Sequence, residues 1–292
     1  MRTLSSIVLA TALLAPAGVA NAQTIDAGRG QLPVTTPSSY TGDTAAPLIV
    51  LLHAFGNTGT GEDEYLRLSA LADTYGFILV APDGNPSNAP MGDNKNPLFW
   101  NASSACCNWE GHDVDDSAYL TDVIDAVKAQ YRIDPTRVFL IGHSNGGFMT
   151  HRMAAEHSGR IAAIVSLAGA DELAERPAPA SPVHVLQIHG TGDTSIAYDG
   201  AEIQGTAYPG AIQSVENWAT RNGCATTPSE AGTLDLDSGL AGMDTTVTRY
   251  TSGCRAGGSA ELWTIADGQH FPTLSDQFTP LVVEWLMGHP KP

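Results

Sequence analysis

The segment Gly142-His143-Ser144-Asn145-Gly146 fits the pattern G-x-S-x-G. An apolar run at residues 138–141 leads into it, and apolar residues at helical spacing follow it. A sharp turn from strand to helix needs small residues beside the serine, because larger side chains would collide there. Such a turn lifts the Ser144 hydroxyl clear of a sheet and places it at a helix N-terminus, where free amides favour developing negative charge. This context predicts that Ser144 is a nucleophile.

A serine hydroxyl needs a base to take its proton, and the chain has nine histidines. His270 follows the last predicted strand in a turn-rich segment, so it would lie at the same edge of a parallel sheet as Ser144. His189 ends a predicted strand but lies close in sequence to the candidate acid. His151 and His157 fall on the helix after the serine, where we expect them at the surface. His270 is therefore the predicted base.

The imidazole base needs a carboxylate to hold its tautomer and stabilise its charged form. Asp193 ends the Gly-rich turn His189-Gly190-Thr191-Gly192-Asp193, which follows a predicted strand. Asp171, one strand earlier, is the main alternative, although it also suits a helix N-cap; Asp267 has less support. The order serine, acid, histidine along the chain is that of α/β-hydrolases. This order favours Asp193.

Acyl transfer also needs two N–H donors for the oxyanion that forms during the reaction. One is expected from the backbone of Asn145, the residue after the serine. We assign the other to the backbone of Phe55, in the loop after the apolar run at residues 47–53. His53 begins this loop and would either brace it or contact the substrate. The set predicts transfer of an acyl group to water, with no metal and no organic cofactor.

Apolar runs and amphipathic segments alternate along the chain. Strands are expected at residues 47–53, 77–81, 137–141, 161–167, 183–188 and 260–265, and helices at 62–75, 115–131, 145–157, 211–221 and 280–288. Residues 82–114 are predicted to form a long loop, and residues 224–258 an irregular segment or short hairpin. Regular alternation predicts an α/β fold with a mostly parallel sheet and helices on both faces, in one domain over residues 23–292.

The first 22 residues have the features of a secretory signal. Arg2 begins them, an apolar stretch follows, and Ala20-Asn21-Ala22 suits a signal peptidase. We therefore expect a secreted protein. No other stretch is long and apolar enough to cross a bilayer. The net charge of −17 disfavours nucleic acid and anionic lipid as partners, and we expect the protein to act as a monomer.

Four cysteines allow three disulfide connectivities, which export would permit. We favour Cys224–Cys254, which closes a loop of about 30 residues and contributes about 3–4 kcal/mol in the chain-entropy model. Cys106 and Cys107 would then form a vicinal bridge or remain free thiols. Their spacing does not suit a zinc site.

A wider set of motifs extends over most of the chain after residue 22. It comprises Trp100-Asn101-Ala102, Cys106-Cys107, Val114-Asp115-Asp116, Gly142 to Gly147, His189 to Asp193, Trp218, Asn222-Gly223-Cys224, Cys254 and His270-Phe271-Pro272. As a set they resemble the secreted esterases that include polyhydroxybutyrate depolymerase-like and feruloyl esterases. The resemblance implies the same three catalytic residues and places the loop of Trp100 near the substrate, as an aromatic platform or a loop anchor. Ala54 and Phe271 depart from the residues usual in this group.

Three functions remain open from the sequence. The favoured one is hydrolysis of hydroxycinnamoyl, feruloyl-type or other small or polysaccharide-linked esters. The second is depolymerisation of polyhydroxyalkanoate-type polyesters, which is less favoured because the chain ends soon after its predicted closing helix. The third is a non-catalytic binding protein on the same fold, and cleavage of peptides is a minor further option, since the same three residues can cleave amides.

Overall fold

The computed structural model describes residues 23–174 and 178–292. The predicted signal segment, residues 1–22, lies outside the described residues. In chain order the strands are β1 (Thr24–Asp26), β2 (Gln31–Thr35), β3 (Ala46–Leu52), β4 (Ile78–Val80), β5 (Asn85–Pro86), β6 (Leu98–Phe99), β7 (Ile133–His143), β8 (Ala163–Leu167), β9 (His184–Gly190), β10 (Gly200–Ile203), β11 (Thr206–Pro209), β12 (Ser229–Leu234), β13 (Thr245–Tyr250) and β14 (Ser259–Ile265). The α-helices are α1 (Gly59–Leu66), α2 (Ala72–Tyr75), α3 (Asp116–Gln130), α4 (Asn145–Glu156), α5 (Ala211–Arg221) and α6 (Phe278–Met287).

Ten strands form one sheet in the order β1-β2-β4-β3-β7-β8-β9-β14-β13-β12. The central strands from β4 to β14 are parallel, and the strands at both ends pair antiparallel. The prediction of a mostly parallel α/β sheet is confirmed, and the arrangement is that of an α/β-hydrolase. No helix among residues 23–174 and 178–292 has the length and apolar character of a membrane span.

The side chains of β3 explain why its sequence is continuously apolar. Leu48, Val50 and Leu52 point into a core that α3, α4 and α5 cover, whereas Ile49 and Leu51 point into a second core shared with α1 and α6. Every residue of this strand is buried. A strand buried on both faces needs no polar alternation, which is the pattern expected for a parallel sheet between helical layers.

One predicted helix is shorter in the structure. The single helix expected at residues 62–75 ends at Leu66, because Arg67 adopts a left-handed conformation (φ 56°) and the Asp63 side chain accepts a hydrogen bond from the backbone of Ser69. The segment predicted to be irregular or a short hairpin supplies β12 and β13, which pair antiparallel and extend the sheet beyond β14. The hairpin alternative is therefore the one found.

The four cysteines form two disulfide bonds. Cys224 and Cys254 join the loop after α5 to the loop before β14, and Cys106 is bonded to Cys107. The favoured pairing of the distant cysteines is thus the pairing found in the structure, and the remaining two are a vicinal bridge rather than free thiols.

Candidate active site

The serine lies at the turn between β7 and α4. Ser144 adopts φ 53°, a conformation rare for residues other than glycine, and its backbone caps the helix. Two neighbouring glycines permit the turn. A Cβ atom on Gly142 would lie 2.3 Å from the carbonyl of Gly146, and one on Gly146 would lie 2.1 Å from the carbonyl oxygen of Leu52. Any larger residue at these two positions would therefore collide with backbone.

The parallel strands bring the three predicted chemical groups to one edge of the sheet. Asp193 lies in the turn after β9, and His270 lies in the loop after β14. The His270 Nε2 atom is 2.9 Å from Ser144 Oγ, and its Nδ1 atom is 2.7 Å from Asp193 Oδ2. The other oxygen of Asp193 accepts hydrogen bonds from the backbones of Ser195 and Ile196. These contacts orient the carboxylate toward the imidazole and the imidazole toward the serine.

The surroundings of these groups favour a neutral imidazole beside a charged carboxylate. Burial lowers the pKa of His270, Asp193 offsets this in part, and the charge of His143 lowers it further. Burial raises the pKa of Asp193, but hydrogen bonds from His189 and His270 outweigh this and hold the pKa far below its usual value. At neutral pH, His270 is therefore able to accept the serine proton while Asp193 stays ionised.

Several backbone N–H groups of the loop between β3 and α1 already have acceptors. The N–H of Ala54 is bonded to Glu62, that of Gly56 to Leu98, and that of Asn57 to Ala54. Among the described residues, no acceptor is bonded to the N–H of Phe55, and the same holds for Asn145 in the first turn of α4. These two are the amides that the sequence assigned to the oxyanion.

The side chains of Trp100 and His53 lie inside the protein beside the serine turn. Both are fully buried. The indole N–H of Trp100 donates to the backbone carbonyl of His53 (3.1 Å), and the two rings lie 4.9 Å apart. His53 accepts a hydrogen bond from the backbone of Gly84, and the Asn145 side chain bonds both backbone groups of Trp100. Both residues brace the loops around Ser144, which favours the bracing role over the substrate contact that the sequence also allowed for them.

His151 was predicted incorrectly. It was expected at the surface but is buried, and its Nδ1 atom accepts a hydrogen bond from the indole of Trp218 (2.8 Å). Its other nitrogen contacts Gln187, whose amide contacts His189. His189 in turn lies 3.3 Å from the carboxylate of Asp193. The face of α4 that carries His151 points into the protein because α5 covers it.

The alternative acids have other partners. The carboxylate of Asp171 is buried and lies 2.6 Å from the guanidinium of Arg221. It also accepts a hydrogen bond from Asn217. Asp267 is exposed and forms part of the turn after β14, with φ 60°. Among the three aspartates considered, Asp193 is thus the one in contact with His270.

Sequence reasoning missed a buried carboxylate beside the serine turn. Glu62 on α1 lies 3.1 Å from the Nδ1 atom of His143, and the Nε2 atom of His143 lies 2.9 Å from the backbone oxygen of His270. Both side chains are fully buried. Glu62 was counted only as part of a helix, because no local pattern distinguishes a buried glutamate from the exposed acids next to it.

Aromatic side chains surround the site. Phe55 packs on Trp109 with ring centres 4.9 Å apart, and 39% of Trp109 remains exposed. Phe271, next to His270, is 58% exposed and packs edge-on against His143. Trp109, beside Phe55, and Phe271, beside His270, therefore offer apolar surface to solvent.

The fold, together with a serine at the strand-to-helix turn, defines the class of this protein as an α/β-hydrolase. More narrowly, the chain belongs to the phospholipase/carboxylesterase family, which matches residues 39–219.

Individual relatives agree with the resemblance seen in the sequence. Feruloyl esterase B of Piromyces equi is 29% identical over 206 residues, which cover 68% of this chain and 36% of that protein. Poly(3-hydroxyalkanoate) depolymerase C of Paucimonas lemoignei is 33% identical over 125 residues, which cover 42% of this chain and 28% of that protein. The chain thus spans about a third of the length of these relatives.

A solved structure shows the same fold. The acetyl xylan esterase from Aspergillus awamori superposes with a TM-score of 0.60 and 16% identity, covering 91% of this chain and 98% of that chain.

Proposed function

We propose that this protein is a serine carboxylic-ester hydrolase that works through an acyl-enzyme. Ser144 Oγ attacks the ester carbonyl carbon while His270 Nε2 takes its proton, and Asp193 stabilises the imidazolium. The N–H groups of Phe55 and Asn145 hold the resulting oxyanion. The observation that carries this proposal is the pair of contacts at 2.9 and 2.7 Å that link the serine, histidine and aspartate.

The second half of the reaction uses the same groups. When the tetrahedral intermediate collapses, the carbon–oxygen bond to the alcohol breaks and His270 gives its proton to the leaving alkoxide. Water then attacks the acyl carbonyl, again losing its proton to His270, and the carboxylic acid leaves as Ser144 regains a proton. No group outside this chain and water is needed to balance either step.

The proposed substrate is an ester of a hydroxycinnamic acid or another small acyl group on a polysaccharide. A relative is named a feruloyl esterase, and the exposed faces of Trp109 and Phe271 suit an aromatic acyl group. Hydrolysis of polyhydroxyalkanoates is the second candidate, supported by the similarity to a depolymerase. Exposed apolar rings would also suit a polyester surface.

The test compares methyl ferulate, p-nitrophenyl acetate and a polyhydroxybutyrate suspension, with Ser144→Ala as the blank. We expect turnover of both small esters and no clearing of the suspension. Clearing by the wild-type protein alone would establish the depolymerase instead. Hydrolysis by Ser144→Ala at the wild-type rate would remove Ser144 from the mechanism.

Trp109→Ala tests the aromatic preference separately. Loss of one ring contact is expected to raise KM for methyl ferulate roughly two- to tenfold and to leave p-nitrophenyl acetate nearly unchanged. Ile212→Ala, which alters an exposed apolar residue on α5, is the matched control. Equal effects on both esters would argue against an aromatic acyl site.

The proposal includes export of the protein, with residues 23–292 as a single catalytic domain that acts as a monomer. Export is supported by the features of residues 1–22 and by two disulfide bonds, which persist in oxidising compartments. Detection of a chain beginning at Gln23 outside the producing cell would test it.

A further inference from the structure

Glu62 connects two parts of the active site that are distant in sequence. Its Oε2 atom accepts hydrogen bonds from the backbone of Ala54 and the side chain of Asn57, both at 3.0 Å. Its Oε1 atom contacts His143, the residue before the serine. One carboxylate therefore holds both the oxyanion loop and the turn that carries the nucleophile.

His143 extends this connection to the catalytic histidine. Its Nδ1 atom faces the Glu62 carboxylate, and its Nε2 atom faces the backbone oxygen of His270. Because both neighbours are oxygen acceptors, hydrogen bonding at both positions needs a proton on each ring nitrogen. The pair is thus a buried imidazolium beside a buried carboxylate.

The electrostatics of Glu62 agree with this assignment. Burial raises the pKa of Glu62, but the hydrogen bond and charge of His143, with the donors of Ala54 and Asn57, outweigh it and leave the pKa below its usual value. A buried ion pair seldom improves stability over an apolar pair of similar size. Its presence at this point is better explained by what it positions.

We propose that Glu62 and His143 are positioning residues. They fix the positions of the oxyanion loop, Ser144 and the backbone of His270 relative to one another. This proposal rests on the proposed esterase function. Neither residue contacts the reacting atoms: Glu62 acts through Ala54 and His143, and His143 acts through the carbonyl of His270.

The pair also sets the proton affinity of the base. The ring of His143 lies 5.2 Å from that of His270. The other groups facing His270 are Asp193, His189 and Ser144, and those facing His143 are Glu62 and Tyr65. Because the His143 ring lies between Glu62 and His270, its positive charge lowers the pKa of His270.

The decisive variant is Glu62→Gln, which keeps the size of the side chain and removes its charge. We expect kcat to fall roughly ten- to a hundredfold with KM nearly unchanged, as when reacting groups are misplaced. The acid limb of the kcat/KM profile, which reports the titration of His270, should also move, because the charges beside the His270 ring have changed; a purely structural role would not move it.

Glu64→Gln, an exposed residue on the same helix, is the matched control and should behave as wild type. Wild-type kcat and an unmoved acid limb in Glu62→Gln, while Ser144→Ala is inactive, would overturn the positioning role alone. Activity in Ser144→Ala would instead overturn the proposed mechanism.

A measurement on the wild-type protein covers the case in which Glu62→Gln fails to fold. Nitrogen-15 NMR of the histidine rings at neutral pH should show two protonated nitrogens for His143 and one for His270. A neutral His143 under these conditions would contradict the proposal whatever the variant does.

Discussion

The Asp193 carboxylate is in contact with His189 as well as with His270. The indole of Trp218 donates to His151 Nδ1, so the proton of His151 lies on Nε2, which donates to Gln187. The Gln187 amide donates to His189 Nδ1. The proton of His189 therefore lies on Nε2, which faces Ile196 and Asp193. The direction of each hydrogen bond in this buried series follows from the Trp218 indole, because an indole N–H can only donate.

Replacement of Gln187 tests this series. Gln187→Met keeps an unbranched side chain but removes one buried hydrogen-bond partner from each of His151 and His189, which costs about 1–3 kcal/mol of unfolding free energy for each group. We also expect a lower kcat, since His189 no longer has a fixed tautomer beside Asp193. Urea unfolding and ester hydrolysis measure the two effects. Gln213→Met, on the exposed face of α5, is the control. Equal stability and equal kcat in the two variants would refute the role of these hydrogen bonds.

At the scale of elements, the turn between β7 and α4 is the most constrained part of the molecule. Gly146→Ala would press a methyl group against the backbone of β3, and we expect a loss of about 3 kcal/mol or more of stability together with most of the activity. Gly159→Ala is the matched control, because its Cβ would meet nothing within 4 Å. Thermal unfolding followed by circular dichroism distinguishes them, and equal midpoints would contradict the packing argument.

Elements with a strong local pattern were predictable, and those with a weak pattern or an irregular end were predictable only in part. The helix at residues 211–221 and the continuous apolar strand β3 follow directly from periodicity. β12 has mostly exposed residues and gains its structure by pairing with β13, so its own sequence gives little signal. The break at Arg67 depends on one aspartate side chain, which helical spacing does not reveal.

The same division applies to the site. The ends of parallel strands meet at one edge, so the placement of Ser144, Asp193 and His270 near one another could be predicted from the strand order alone. Glu62 and Gln187 reach the site from the interior, and their contacts with His143 and His151 join residues 81 and 36 positions apart. Such contacts leave no periodic signal. For Trp100 the sequence left an aromatic platform and a loop anchor open, and its complete burial favours the loop anchor.

For the whole molecule, the Cys224–Cys254 disulfide links the helical layer to the sheet edge. It closes a loop of 30 residues, so the paired substitution Cys224→Ser with Cys254→Ser is expected to cost about 3–4 kcal/mol of unfolding free energy. Denaturant unfolding under non-reducing conditions measures the loss. Unchanged stability would mean that the unfolded chain gains little freedom when this bond is absent.

Acid is expected to lower the stability of the whole molecule, because several buried or partly buried histidines have lowered pKa values. Burial, with the nearby charges of His289 and Lys291, lowers the pKa of His184 to about 4 from the ordinary value of 6.5. The unfolded protein therefore binds a proton at His184 at a higher pH than the folded protein does. The contribution of His184 to the free energy of unfolding is fully present above about pH 6.5 and is lost as the pH falls toward 4. His53, His270 and His289 have pKa shifts of the same sign.

The thermal midpoint should consequently fall between pH 7 and pH 4.5, and His184→Asn should reduce that fall. The asparagine oxygen can still accept from Ser259, which contacts His184 at 2.7 Å. An identical pH dependence in the variant would show that His184 does not contribute.

The central claim is that Ser144 is the nucleophile and His270 activates it. The most direct test is reaction of the protein with diethyl p-nitrophenyl phosphate, followed by peptide mass spectrometry and an ester assay on the same sample. We expect one diethylphosphoryl group per chain, on Ser144, with loss of activity in proportion to labelling, and almost no labelling of His270→Gln. Labelling at another residue, or full activity with Ser144 modified, would contradict it.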